Sequence, residues 1–269
     1  MYLHKWRDYM IEFNQVTKNY GGVTGTDALK NVSFTIKDGQ IFGLIGHNGA
    51  GKTTAIKILV SIINQTEGEV SVDGELLEDD RQGIKQKIGY VADSPNVFLR
   101  LRASEYWELM GTAYDVPEDQ YISRLNYFSD LFDIAGTAEE LIETFSHGMR
   151  QKTFLVGALL ANPDIWVLDE PMTGLDPQAI FDLKQLMRSH ANEGKIVLFS
   201  THNLENAQEL CDEIVILRKG EVLYNGTIED LQAQNENESL ETIYLKIAGR
   251  EAQAYPSNND TVTDEGDSL

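Results

Sequence analysis

Residues 46–54 form a glycine-rich segment whose residue types can bind a polyphosphate. The segment fits the pattern G-x-x-x-x-G-K-[ST] through Gly46, Gly51, Lys52 and Thr53. In such a loop the glycines let backbone N–H groups turn toward phosphate oxygens, the lysine reaches the outer phosphates and the hydroxyl ligates Mg²⁺. The sequence therefore predicts a phosphate cradle built, in chain order, from Gly46, His47, Asn48, Gly49, Ala50, Gly51, Lys52, Thr53 and Thr54.

Four further residues carry side chains that can act on a bound nucleotide. Asp169 and Glu170 directly follow an apolar run at residues 165–168. A carboxylate at the end of a strand beside the phosphate loop can orient Mg²⁺, and the next one can accept a proton from the attacking water. His202 also follows an apolar run and can sense a terminal phosphate, although a histidine at a strand end is more often structural. Tyr20 can stack on a base, although a tyrosine closing a glycine turn gives the same pattern.

These residues need a scaffold in which strands and helices alternate. Apolar runs bounded by turn residues predict strands, and apolar side chains at helical spacing predict helices. The predicted strands are 11–16, 32–36, 41–45, 68–72, 88–91, 165–168, 196–199, and a hairpin of 214–217 with 222–224. The predicted helices are 55–63, one capped by Ser104, one from Ile122 to Phe132, one at 146–161, and one capped by Asp176 with Pro177 at its first position.

Composition limits the classes of function. The 269 residues carry a net charge of −21, which opposes binding to nucleic acid or anionic lipid by charge alone. Cys211 is the only cysteine, so an internal disulfide is excluded, and its apolar neighbours predict a core position. The apolar stretches fall short of the roughly 20 residues that span a bilayer. Residues 251–269 hold five acidic and no basic side chains without hydrophobic periodicity, which predicts a disordered tail.

The order of these motifs resembles that of the ATP-binding subunit of an ABC transporter. Residues 46–54 are similar to its Walker A loop, residues 165–170 to its Walker B strand with the catalytic glutamate, and residues 174–176 to its D-loop. The resemblance implies that His202 is the switch histidine and that Tyr20 stacks on adenine.

The resemblance covers roughly residues 11–231 and also implies a fold. That fold is α/β, with a P-loop NTPase (RecA-like) core, an antiparallel β subdomain and an inserted α-helical subdomain. We expect the cassette to occupy residues 1–250, with the helical subdomain at about 95–162 and the acidic tail at 251–269.

Residues 145–151, Phe-Ser-His-Gly-Met-Arg-Gln, resemble the family signature that precedes a helix. In the family this segment binds the γ-phosphate of ATP held by the opposing subunit, through a serine hydroxyl and N–H groups at a helix N-terminus. Ser146 and Gly148 match the positions that carry this chemistry. His147 and Met149 depart from the usual glycine and glutamine, as they do in many exporter-type ATPases.

Two acidic residues complete the site that the resemblance implies. Asp93 lies where the family's Q-loop places glutamine, and sometimes an acid, to contact Mg²⁺ and the attacking water. Aspartate is one methylene shorter, so its contact is expected to run through water. Asp176 is the D-loop residue expected at the nucleotide. The metal ligands are thus expected to be Thr53, Asp169 and Asp93, and the catalytic residues Glu170, His202 and Lys52.

The implied function is an ATPase that dimerises head to tail around two Mg-ATP molecules and drives a separate multi-span membrane subunit. The second cassette is another copy of this chain or a paralogue, and the location is cytoplasmic, peripheral on the inner face of the cell membrane. The signature variant and Asp93 favour export and similarity to the Ecs-type group of Gram-positive bacteria. A cytoplasmic helix of the membrane subunit is expected to dock between residues 93–114 and the core, near Phe98 and Trp107.

Two other functions fit the sequence less well. A soluble ABC ATPase acting on ribosomes or DNA is disfavoured, because such relatives usually carry two cassettes, a long coiled coil or zinc cysteines, and because the chain is acidic. A GTPase is disfavoured because the sequence has no Asn-Lys-x-Asp motif. The sequence does not identify a transported substrate, because the membrane subunit selects it.

Overall fold

The computed structural model describes residues 10–21, 25–93, 97–236 and 238–247. The strands in these ranges are β1 (Met10–Asn19), β2 (Asp27–Lys37), β3 (Ile41–Ile45), β4 (Glu67–Val72), β5 (Glu75–Leu76), β6 (Ile88–Val91), β7 (Ile165–Asp169), β8 (Ile196–Thr201), β9 (Glu213–Arg218) and β10 (Glu221–Gly226). The α-helices are α1 (Lys52–Leu59), α2 (Arg81–Lys87), α3 (Ala103–Ala113), α4 (Glu118–Leu131), α5 (His147–Leu160), α6 (Pro177–Asn192), α7 (Leu204–Leu210), α8 (Ile228–Ala233) and α9 (Leu240–Ile247).

A six-stranded sheet in the order β10-β9-β3-β8-β7-β6 forms the centre of the fold. The five strands from β9 to β6 pair in parallel, and β10 closes one edge as an antiparallel hairpin with β9. Every residue of β3, β7 and β8 is buried, as expected for parallel strands covered on both faces. The carboxyl ends of β3, β8 and β7 therefore lie side by side, and each leads into a predicted site residue.

A second, antiparallel sheet has the order β2-β1-β4-β5 and packs over α1. Its inward side chains alternate along the strands, and the rings of Phe13 and Phe34 stack with centroids 4.4 Å apart. Phe34 in turn stacks on Phe42 of the central sheet at 5.5 Å. This continuous apolar cluster, which also holds Ile56 of α1, fixes the start of α1 against both sheets.

Helices α3, α4 and α5 form a helical unit between β6 and β7. Its core holds Trp107, which is 1% exposed and donates a hydrogen bond from Nε1 to the carbonyl oxygen of Thr153 at 3.0 Å. The predicted docking role of Trp107 is therefore wrong, because its indole is part of this core. Ser104 is also not the cap of α3. The helix begins at Ala103, and the backbone N–H of Arg102 donates to Oε2 of Glu105 at 2.8 Å.

The C-terminal part of the described chain covers the far face of β9 and β3. Helices α7, α8 and α9 share an apolar cluster with Ile45, Ile214 and Ile216. Cys211 is partly buried, at the edge of the core where it was predicted to lie. It packs against this cluster and against the cluster that contains Trp107, and burial raises the pKa of its thiol. The predicted acidic tail, residues 251–269, lies outside the described residues.

Within the described ranges, the helices are too short or too polar for any of them to traverse a bilayer.

Candidate functional site

The phosphate loop lies between the end of β3 and the start of α1. Gly51 has a φ of +115°, and a Cβ added there would lie 2.7 Å from the carbonyl oxygen of Ala28, so a larger residue would be strained and would clash. The loop closes a turn in which the N–H of Ala50 donates to the carbonyl oxygen of His47 at 3.0 Å. Helix α1 then begins at Lys52, so its N-terminal N–H groups face the loop.

A cleft of about 360 Å³ opens over this loop. Thr54 lies in the first turn of α1, and its Oγ1 is 3.5 Å from the hydroxyl oxygen of Tyr20. The ring of Tyr20 is 60% exposed beside the cleft. All the predicted loop residues except Gly46 line the cleft, together with two predicted acids and one residue that was not predicted. The lining is Ala28, His47, Asn48, Gly49, Ala50, Gly51, Lys52, Thr53, Thr54, Asp93 and Glu170.

Asp169 ends β7 with its carboxylate 1% exposed. Its Oδ1 accepts a hydrogen bond from Oγ of Ser200 at 2.5 Å. Burial raises the pKa of the Asp169 carboxyl, hydrogen bonds from Ser200 and Thr53 lower it, and the charges of Asp93 and Glu170 raise it again, with a net upward shift. Of the predicted metal ligands, Thr53 and Asp93 line the cleft and lie close enough to the buried Asp169 to interact with it.

This donor set fits a Mg²⁺ ion that a nucleotide carries into the site. Mg²⁺ is usually held by one or two carboxylates together with substrate phosphates and water, and seldom by a cage of protein ligands. Where side chains are described, no group of three or more His, Cys, Asp or Glu is arranged as such a cage. A buried carboxylate that keeps a raised pKa is stabilised in its ionised form when a cation binds beside it.

Glu170 lies between two nitrogen groups at the mouth of the cleft. Its Oε1 is 3.0 Å from Nζ of Lys52, an ionic contact without hydrogen-bond alignment. Its Oε2 is 2.9 Å from Nδ1 of His202. Nζ of Lys52 also donates to the carbonyl oxygen of Gly46 at 2.6 Å. The structure therefore brings together the three residues predicted to be catalytic.

The backbone at Glu170 is strained. Its φ is +49°, a left-handed conformation that costs a residue other than glycine about 1 kcal/mol or more. The N–H of Glu170 donates to Oγ of Ser200 at 3.0 Å, which fixes this conformation. Strain of this kind persists where the surroundings over-determine a functional geometry.

Ser200 was not among the predicted site residues. Its Oγ donates to Asp169 and accepts from the N–H of Glu170, so one buried hydroxyl orients both acids. The available sequence signal was the serine two positions before His202 at the end of an apolar run. The sequence does not indicate that Ser200 contacts Asp169. That contact follows from the strand register, which pairs Asp169 with Ser200 across β7 and β8.

The signature residues lie at the N-terminus of α5 and do not line the phosphate-loop cleft described above. Oγ of Ser146 caps α5 by accepting a hydrogen bond from the N–H of Met149 at 3.2 Å. A Cβ at Gly148 would overlap the carbonyl oxygen of Gly174, so this glycine lets the signature pack against the segment before α6.

Asp176 caps α6, as predicted, by accepting from the N–H of Ala179 at 3.0 Å. Its carboxylate also lies 2.7 Å from Nζ of Lys152 on α5, and this hydrogen bond is the main reason why the pKa of Asp176 is lowered. The structure places Asp176 beside the signature helix, and the residue does not line the phosphate-loop cleft. Its predicted contact with nucleotide is thus not made within one chain.

The chain is similar to known proteins. The family profile described as "ABC transporter" matches residues 29–173. The ABC-type transporter ATP-binding protein EcsA of Bacillus subtilis (strain 168) is 35% identical over 234 residues, which cover 86% of this chain and 95% of EcsA. The ABC transporter ATP-binding protein NatA of the same organism is 33% identical over 219 residues, covering 81% of this chain and 89% of NatA.

Solved structures agree. A structure described as the ATP-binding subunit of an ABC transporter superposes with a TM-score of 0.83 at 32% identity, covering 88% of this chain and 99% of the other. The cassette MJ0796, in a dimeric post-hydrolysis state bound to ADP and Pi, superposes with a TM-score of 0.73 at 28% identity, covering 81% and 98%. The predicted fold class is confirmed. The chain belongs to the ABC transporter family as an ATP-binding subunit, and it is an ATPase of that family.

Proposed function

We propose that this ATPase hydrolyses Mg-ATP between two cassettes arranged head to tail and uses the closure to drive a separate membrane subunit. The proposal rests on the observation that the predicted ATP-binding residues lie at two separate places in the chain's structure. Lys52, Glu170 and His202 meet at the phosphate loop, whereas Ser146 and Gly148 lie at another helix N-terminus, away from that cleft. A nucleotide held by both sets of residues requires two chains.

Each residue at the cleft has a role that its contacts support. Glu170 is the general base, because its carboxylate is held at the mouth of the cleft by its two nitrogen neighbours. Lys52 stabilises the γ-phosphate, which competes with Glu170 for the ammonium group as ATP binds. His202 contacts the transferred phosphoryl group, and its contact with Oε2 keeps the imidazole beside the base.

Thr53 and Asp169 would hold Mg²⁺, and Asp93 would reach it through water. When bound, the ion would supply charge neutralisation for the nucleotide's phosphates. The protein contributes a carboxylate fixed by Ser200, so that the geometry is set before nucleotide arrives. Tyr20 stacks on adenine, supported by its exposed ring beside Thr54.

The signature completes the site of the other cassette. Helix α5 has 14 residues, and its N-terminus offers N–H groups and the Ser146 hydroxyl to an anion. ATP presents a γ-phosphate to this helix end, whereas ADP does not, so hydrolysis weakens the closed state. The dimeric cassette MJ0796 is a structural neighbour that supports this arrangement. Asp176, beside the signature, is then placed to face the nucleotide of the partner cassette.

The helical unit, at about residues 95–162, is the proposed contact with the membrane subunit, and the cassette is thereby held at the inner face of the membrane. Val97 and Phe98 are 62% and 43% exposed, as a docking surface requires. A groove of about 660 Å³ lies within this unit, between α3 and α4, and carries Glu108, Asp115 and Glu118 on its walls. The signature variant and Asp93 favour export as the direction of transport.

The decisive experiment measures the oligomeric state of the Glu170→Gln variant. We expect it to bind Mg-ATP, to form a dimer by light scattering, and to turn over at least about 10²-fold more slowly than wild type. Adding Ser146→Arg should prevent the dimer while nucleotide still binds. The matched control, Ser104→Arg, changes a serine in the first turn of α3 and should leave the dimer intact. A Glu170→Gln chain that stays monomeric at saturating Mg-ATP, alone and with its membrane subunit, contradicts the proposal.

A further inference from the structure

Helix α9 contacts the phosphate loop from a distant part of the sequence. The N–H of His47, the first residue after Gly46, donates a hydrogen bond to the hydroxyl oxygen of Tyr244 at 3.2 Å. The imidazole of His47 also packs edge-on against the ring of Tyr244, with centroids 5.2 Å apart. One tyrosine from the C-terminal part of the chain thus holds both the backbone and the side chain of a loop residue.

His47 is the first residue of the hydrogen-bonded turn in the phosphate loop. Its carbonyl oxygen accepts the N–H of Ala50, and its side chain lines the nucleotide cleft. A residue whose N–H and carbonyl groups are both hydrogen-bonded has little freedom to rotate about its φ and ψ angles. The contact with Tyr244 therefore sets the orientation of the turn that presents the later loop amides to phosphate.

Tyr244 is itself held rigidly. It is 6% exposed and belongs to the apolar cluster that contains Ile45, Ala207 and Ile243. Ile45 is the last residue of β3, directly before the loop, and Ala207 lies on α7, which begins two residues after His202. Helix α9 thus packs against β3, which leads into the phosphate loop, and against α7, which follows His202.

We infer that Tyr244 is a positioning residue for ATP binding, and that docking of α9 and nucleotide affinity are coupled through the Tyr244–His47 contact. The phenol hydroxyl accepts a hydrogen bond from the N–H of His47, and the ring limits the movement of the His47 side chain. Because coupling free energies are reciprocal, nucleotide at the loop must in turn stabilise α9. The inference rests on the proposed use of this loop to bind Mg-ATP.

The test compares two tyrosine-to-phenylalanine variants of the full chain. Tyr244→Phe keeps the ring and removes the hydroxyl that accepts from His47. Tyr224→Phe removes a comparable hydroxyl, which donates to the carbonyl oxygen of Thr227 at 2.6 Å and lies in the same apolar cluster away from the loop. We expect Tyr244→Phe to raise KM for Mg-ATP about fivefold to tenfold, the effect of one unmade hydrogen bond, with kcat changed by less than about twofold. Tyr224→Phe should leave KM within about twofold of wild type.

Hydrogen exchange gives a second readout, with Mg-ADP as the probe. In wild type, Mg-ADP should slow exchange at residues 240–247, and in Tyr244→Phe this protection should be lost. Equal KM values for the two variants, or unchanged protection in Tyr244→Phe, would overturn the inference while leaving the ATP site intact, because wild type would still hydrolyse ATP. A wild-type chain that neither binds nor hydrolyses Mg-ATP would overturn the proposed function and this inference together.

Discussion

Removal of the Ser200 hydroxyl should raise the Mg²⁺ concentration that ATP hydrolysis requires, without unfolding the protein. Ser200 is fully buried, donates to Oδ1 of Asp169 at 2.5 Å and accepts from the N–H of Glu170 at 3.0 Å. In Ser200→Ala the carboxylate loses a charge-assisted bond of about 1.5–3 kcal/mol, and the Glu170 amide loses its partner. That free energy corresponds to roughly tenfold to hundredfold in an equilibrium constant. Loss of a residue that orients a metal ligand typically has an effect of the same size on metal affinity or activity.

The direction of the pH effect follows from the same bond. The hydrogen bond from Ser200 lowers the pKa of the Asp169 carboxyl, which burial has already raised. Its loss raises that pKa further, so a larger share of Asp169 is protonated at a given acidic pH. Only the ionised carboxylate can hold Mg²⁺. The acid limb of the pH–activity profile of Ser200→Ala should therefore move to higher pH.

The assay is the initial rate of phosphate release, measured against Mg²⁺ concentration at fixed ATP and repeated across pH. Ser129→Ala is the matched control, because Ser129 is 5% exposed and donates to the carbonyl oxygen of Asn126 at 3.3 Å in α4, away from the cleft. It should leave both the Mg²⁺ dependence and the acid limb unchanged. If Ser200→Ala lowers the rate by the same factor at every Mg²⁺ concentration and pH, the hydroxyl serves packing alone and the reasoning is refuted.

Two further predictions concern Asp169 and Phe98. The folded-state pKa of Asp169 lies above its ordinary value of 3.8, so its ionised form opposes folding at neutral pH, and this opposition disappears as pH falls through the raised pKa toward the ordinary one. Asp169→Asn should therefore melt at a higher temperature than wild type at pH 7 without Mg²⁺ or nucleotide, with a difference that shrinks toward pH 4; a lower melting temperature at pH 7 would contradict this. Phe98→Glu should keep ATPase activity within about twofold and reduce recruitment to vesicles carrying the membrane subunit at least about tenfold. Tyr127→Glu, which changes a 58% exposed aromatic on α4, is its control, and equal recruitment of the two variants would exclude Phe98 from the docking surface.

The sequence predicted the bounds of strands and helices best where a short apolar run suited a buried strand or where a helix had clear capping residues. The strands at 41–45 and 88–91 have the predicted bounds, because short runs of apolar residues between turn signals suit fully buried parallel strands. Helix α5 also matches its prediction, since Ser146 caps it and Asn162-Pro163 follow it. The helix predicted at 55–63 instead begins at Lys52, because the left-handed Gly51 allows the helix to start directly after the loop.

Some elements, and the ends of others, were not predicted from the sequence pattern. Strand β1 extends from Met10 to Asn19, beyond the predicted 11–16, because its polar residues are paired with β2 and β4 on its two sides. Helix α2 was not predicted, since its stability comes from an Asp80 cap and the burial of Ile84 alone. Helices α8 and α9 were also missed, because their apolar faces need the cluster built by β3, β9 and α7.

Motif spacing predicted the residues at the cleft but not the contacts that hold them. The pairing of Ser200 with Asp169 depends on the register of two strands that lie about 30 residues apart in sequence. The contact between His47 and Tyr244 joins residues separated by 197 positions. Neither residue type signals such a partner, because serine and tyrosine satisfy their hydroxyls in many ways. The folded structure is needed to see which hydroxyl orients which group.

The packing of the signature offers a route by which one nucleotide would affect the other in the proposed dimer. Gly148 lies against Gly174, and Lys152 of the same helix is paired with Asp176 at 2.7 Å. The segment from Gly174 to Asp176 follows Glu170 by only a few residues. In the proposed dimer, a partner's ATP that pulled on the N-terminus of α5 would therefore displace the segment attached to Glu170, the proposed general base. The same contacts that keep the signature away from its own cleft would thus make the two ATP sites of that dimer respond to each other.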